Sequence, residues 1–140
     1  MTDVRMGVDL TSVDAVEESL VRFGSRYTDR LFTTRELADS RGTLSARASS
    51  LAARFAAKEA TLKALRVEDD PPGWTEIEVR RAPGGWCALH LSGRAADLAR
   101  QAGLEEWSVA LTHEANMAAA VVLAHGPDTD HDGVRSGGAA

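Results

Sequence analysis

The 140-residue sequence is poor in cysteine, in aromatic side chains and in lysine, and each shortage narrows what the chain can be. Its one cysteine, Cys87, excludes an internal disulfide and leaves no partner for a thiolate zinc site; set between Trp86 and Ala88, it reads as core. No apolar run approaches the ~18 residues of a membrane helix. The start, Met1-Thr2-Asp3-Val4-Arg5, lacks the apolar centre of a secretion signal, so the expected location is the cytoplasm. A net charge of −5 gives the molecule as a whole no attraction for nucleic acid or an anionic membrane. No glycine-rich phosphate loop of the Walker type is present, so any phosphate must be held by side chains or a metal.

The shortage of lysine is the informative one. Fourteen arginines carry the positive charge, and the only two lysines, Lys58 and Lys63, lie five residues apart. Lysine is a compact point charge on a flexible stem, suited to single phosphate oxygens and to proton transfer.

What is present fits one domain over residues 1–125, followed by a tail. Val4 to Leu10 reads as a strand, and Thr11 or Ser12 caps a helix that Gly24 ends. Residues 26–40 read as short helical pieces, with Thr33-Thr34-Arg35-Glu36 resembling a capping box. A long helix is expected from Leu44 to Arg66. Thr75–Arg81 and Cys87–Leu91 form a hairpin about Pro83-Gly84-Gly85. A modest helix over 93–102 and strands over 107–111 and 117–124 complete an α+β fold, its antiparallel sheet packed on one long helix. Residues 126–140 read as a disordered tail. Asp128, Asp130, Asp132 and Gly133 imitate a calcium loop there, but the twelfth position is Ala139 and no helix follows.

On the long helix the 3.6-residue period places Leu44, Ala48, Leu51, Phe55, Leu62 and Leu65 on one stripe. Glu59 falls inside that stripe, flanked by Lys58 and Lys63; a carboxylate there must be paired, protonated or metal-bound. The plain alternative is an i,i+4 pair of Glu59 with Lys63, worth about 0.2–0.5 kcal/mol on an exposed helix. Asp9, at the end of the first strand, is either a local turn residue or a second carboxylate for a hard cation holding polyphosphate. Thr112-His113-Glu114 ends a later strand, where His113 is a phosphate contact, a base or a plain loop histidine.

Three pieces, Gly7-Val8-Asp9-Leu10, Arg54-Phe55-Ala56-Ala57-Lys58-Glu59-Ala60 with Lys63, and Leu111-Thr112-His113, resemble the holo-acyl-carrier-protein synthase family of phosphopantetheinyl transferases. The resemblance covers residues 4–125, and its second piece is highly specific. It implies magnesium-dependent transfer of 4′-phosphopantetheine from coenzyme A to an acyl carrier protein, by a homotrimer with sites between neighbours. Asp9 and Glu59 match the family's magnesium ligands and Lys63 a lysine beside the reacting phosphate. Arg54, Lys58, Thr112 and His113 match positions that hold coenzyme A. A pyrophosphate hydrolase using the same carboxylates and a non-catalytic carrier-binding module are the competing functions.

Two departures stand out. Gly84-Gly85-Trp86 replaces the family's Gly-Lys-Pro turn, and the first helix is acidic (Asp14, Glu17, Glu18) where many members are basic. The remaining basic surface for a carrier protein is the series Arg22, Arg26, Arg30 and Arg35.

Overall fold

A computed structural model describes residues 3–127. The expected tail, apart from its first two residues, and the calcium-loop look-alike lie outside the described residues. The first half of the chain runs β1 (Val4–Ser12), α1 (Val13–Phe23), α2 (Ser25–Leu31), α3 (Thr34–Asp39) and α4 (Leu44–Leu65). The second half runs β2 (Ile77–Arg81), β3 (Cys87–Leu91), α5 (Gly93–Gln101), β4 (Glu106–Glu114) and β5 (Met117–His125).

Helix α4 organises the molecule. Eight of its residues are alanine, which favours the helix and allows neighbours to approach closely. Thr43 caps its start by accepting from the Ala46 amide at 3.2 Å. At the other end Arg66 takes the left-handed conformation (φ 53°) and its N–H closes the last turn. The single apolar stripe expected here is too narrow. Leu44 is exposed, while Ala48, Leu51, Ala52, Ala56, Ala57, Ala60 and Ala64 are all fully buried, so burial extends round most of the helix. The periodicity counted large side chains; the close contacts are made by small ones.

Two separate antiparallel sheets flank this helix, where one sheet was expected. The larger has the order β1-β5-β4; the smaller is the β2-β3 hairpin. Central β5 places Ala118, Ala120, Val122 and Ala124 against α4. The opposite face of the larger sheet is also apolar yet exposed: Met6 is 65% and Val8 57% accessible, with Val4, Leu10 and Val121 beside them. The capping box at α3 is present, with Thr33 and Glu36 bonded reciprocally.

Candidate active site

Strand β1 and helix α4 meet at Gly7, where a Cβ would lie 1.8 Å from the Ala60 carbonyl oxygen. Only glycine permits that approach. Strand alternation turns Asp9 toward the same side as Gly7, so the carboxylate arrives beside the α4 turn that bears Glu59 and Lys63. Lys63 Nζ donates to the Val8 carbonyl at 2.8 Å and to Asp9 Oδ1 at 3.2 Å, while Thr11 reaches Asp9 Oδ2 at 3.5 Å. The plain Glu59–Lys63 ion pair does not form; Lys63 bridges to β1 instead.

Glu59 is half-buried, and its pKa is raised above the ordinary 4.5. Desolvation is the largest cause and repulsion from Asp9 the second, with Lys63 opposing both. Two like charges are therefore held within reach of each other. Among the described residues no cluster of three or more metal-ligating side chains exists. Two hard oxygen donors without a protein cage suit an ion such as magnesium, which keeps waters and takes further ligands from substrate phosphates.

A second group of the expected residues lies elsewhere. Arg54, Thr112 and His113 line a cleft of about 600 Å³ together with Ser49, Ser50 and Arg81. Arg54 is only 5% exposed; its Nη1 donates to Ser50 Oγ at 2.6 Å, and its Nε is buried with no partner. A buried, unpartnered guanidinium nitrogen at a cleft with a second arginine and hydroxyls is suited to receive an anion. Asp9, Glu59 and Lys63 are not part of this lining. β1 and β4 are the opposite edges of the larger sheet, so Asp9 and His113 stand on either side of β5.

Lys58 belongs to neither group, and the expectation that it holds coenzyme A is corrected by its surroundings. Its side chain is wholly inaccessible, and its ammonium donates to Glu36 Oε1 (2.7 Å), Trp74 O (2.9 Å) and Ile77 O (2.6 Å). All three donors are engaged inside the fold. Burial lowers its pKa, with Glu36 opposing. Sequence reasoning missed Glu36 as its partner, because the capping box accounted for that residue locally. It also missed Arg81 and the serines of the cleft, which carry no motif of their own.

A sequence model of the 4′-phosphopantetheinyl transferase superfamily matches residues 5–122. The chain belongs to that superfamily. Among curated phosphopantetheinyl transferases, the holo-[acyl-carrier-protein] synthase of Streptomyces avermitilis is 41% identical, covering 90% of this chain and 100% of the relative. That of Herpetosiphon aurantiacus is 39% identical, covering 86% and 97%. Of solved transferases, the Chronobacterium ammoniagenes enzyme in complex with coenzyme A superposes with a TM-score of 0.76 at 30% identity, covering 87% and 96%. The Mycobacterium tuberculosis synthase gives 0.68 at 33% identity, covering 88% and 97%.

Proposed function

We propose that the protein transfers 4′-phosphopantetheine from coenzyme A to a serine of an apo acyl carrier protein, releasing 3′,5′-ADP, with magnesium, in the cytoplasm. The carrying observation is the Asp9–Lys63–Glu59 cluster at the β1–α4 crossing, on a superfamily chain whose curated relatives are named for this transfer. Asp9 and Glu59 are the residues that would hold magnesium, which when bound supplies charge neutralisation at the phosphorus under attack.

The rest of the chemistry follows from the chain's own groups. The unpartnered Arg54 Nε, with Arg81 and His113, binds and orients a phosphate of coenzyme A in the 600 Å³ cleft. Lys63, fixed by the Val8 carbonyl, places its ammonium where charge develops on the phosphate oxygens. The serine oxygen attacks the β-phosphorus, the bond to 3′,5′-ADP breaks, and the serine proton passes to the Glu59 carboxylate.

The two groups on opposite sheet edges support a site completed between copies. The exposed apolar face of β1 and β5 gives those copies, three in a homotrimer, a surface on which to meet.

The carrier surface is narrower than the arginine series suggested. Gly24 (φ 54°) breaks α1 from α2, so the four arginines do not form one row. Arg22 stacks on Phe23 and borders the acidic patch of Asp14, Glu17 and Glu18. Arg26 and Arg30 instead share a cavity of about 460 Å³ with Phe23, Tyr27, Leu31 and Trp74. We assign carrier docking to that cavity, with the acidic patch disfavouring strongly acidic carriers, as a specialised polyketide or peptide synthase would require more than fatty-acid synthesis.

The test is to incubate the protein with coenzyme A, magnesium and an apo carrier protein and to weigh the carrier. Gain of one phosphopantetheine arm supports transfer. Cleavage of coenzyme A with an unmodified carrier identifies a hydrolase, and carrier binding without either change a non-catalytic module.

A further inference from the structure

Hairpin β2–β3 forms one wall of the cleft, supplying Arg81, Gly85 and Cys87. It shares no ladder with the larger sheet, and an isolated two-stranded hairpin is marginal in water. What holds it in place is visible on the free edge of β2. Residues 77 and 79 point their backbone groups to the same edge, away from β3. There the Ile77 carbonyl accepts from Lys58 Nζ at 2.6 Å, and the Val79 amide donates to Glu36 Oε2 at 3.1 Å. Lys58 supplies the donor and Glu36 the acceptor that a neighbouring strand would have supplied. The two side chains are joined to each other at 2.7 Å, and both are inaccessible. A helix has no free backbone groups along its side with which to pair a strand, so side chains are the means by which α4 and α3 can grip this edge.

We propose that the buried Lys58–Glu36 pair is a positioning device for the donor cleft: it stands in for a missing strand on β2, sets the hairpin on α4, and so fixes the spacing between Arg81 on the hairpin and Arg54 on the helix. The proposal rests on the reading of that cleft as the coenzyme A site. It gives Lys58 a role in the reaction without contact with substrate. It also explains why a cation is present at this depth, where an apolar side chain would leave the Ile77 carbonyl without a donor and the buried Glu36 carboxylate without its counter-charge.

The test uses the full chain and two variants. Glu36→Gln keeps the shape but turns one of the contacts to Lys58 or Val79 into donor against donor. Lys58→Arg keeps the charge but cannot direct its donors to the same three acceptors. Binding of coenzyme A is measured by calorimetry without carrier protein, and backbone amide exchange is followed in parallel. The expected result is a folded Glu36→Gln protein whose coenzyme A Kd and donor KM rise about tenfold, as the hairpin must be reset against α4 before the donor is held. Its kcat at saturating donor is retained, and exchange accelerates at residues 77–81 and 87–91 while β1, β5 and β4 exchange as before. If Glu36→Gln does not fold, Lys58→Arg carries the same expectation. A folded variant with unchanged Kd, or one whose kcat falls while KM stays fixed, overturns the proposal, since the pair then serves only overall stability. If the parent itself binds no coenzyme A, the donor reading of the cleft fails. The exchange data then still decide whether the pair holds the hairpin.

Discussion

Gly7 and Ala60 touch backbone to backbone: the Cβ that Gly7 lacks would sit 1.8 Å from the Ala60 carbonyl oxygen. This contact fixes the depth at which Asp9 meets the helix turn of Glu59 and Lys63. Gly7→Ala must push β1 away from α4, and backbone offers no side chain to rotate aside. The expected loss of stability is about 1–3 kcal/mol, measured by denaturant titration. A disproportionate rise in the magnesium requirement should accompany it. A stable Gly7→Ala enzyme with an unaltered metal titration would refute the link between this contact and the carboxylates.

Glu59→Gln should lower turnover at least ~10²-fold while keeping the fold. Stability should move the other way. The folded-state pKa of Glu59 lies above its ordinary 4.5, so the charged form is penalised in the native state. That penalty is absent below the unfolded value and grows as pH rises through the folded one. Without metal, Glu59→Gln should therefore melt higher than the parent at neutral pH, and the two should converge in acid. In the parent, activity should fall as pH drops through the raised pKa, with magnesium moving that limb to lower pH. A parent that out-melts the variant at neutral pH in chelator would contradict this assignment.

Asp9→Asn should raise the magnesium concentration needed for half-maximal rate, because it removes a hard anionic donor and the anchor of Lys63. An unchanged metal titration would reduce Asp9 to a strand residue.

Arg26→Glu with Arg30→Glu should raise the carrier KM several-fold, weaken its salt dependence and leave the coenzyme A KM nearly unchanged. Replacing Asp14 and Glu17 with arginine should improve the use of an acidic fatty-acid carrier. Steady-state kinetics at several ionic strengths decide both. If neither pair of changes discriminates between acidic and neutral carriers, docking lies elsewhere.

Much of this fold is legible in the sequence. Thr33 and Glu36 announced their cap, and the glycines at 84 and 85 announced the β2–β3 turn, because turn and cap chemistry is local. Asp9, Glu59 and Lys63 are joined as a group only by the resemblance to the family, and the fold brings Lys63 to Asp9. The place of Lys58 was not legible. Its neighbours in sequence suggested phosphate, whereas its partners Glu36, Trp74 and Ile77 lie 16 to 22 residues away and meet it only in the folded core. Leu44 was misplaced for a related reason. A period counted on large side chains cannot register that alanines, packed from several directions, hold most of the buried positions of α4.

With the site completed between copies, as proposed, the placement of Asp9 and His113 on opposite edges of one sheet means that damage to the enzyme need not be private to the copy that carries it. Where neighbours share a site, a chain lacking its carboxylate still offers an intact cleft, and a chain lacking Arg54 still offers intact carboxylates. Mixed before assembly, Asp9→Asn and Arg54→Ala chains should complement each other, each silent alone and partly active together. The same geometry lets one defective chain silence a site that its healthy neighbour needs, so such defects would act dominantly in a cell making both.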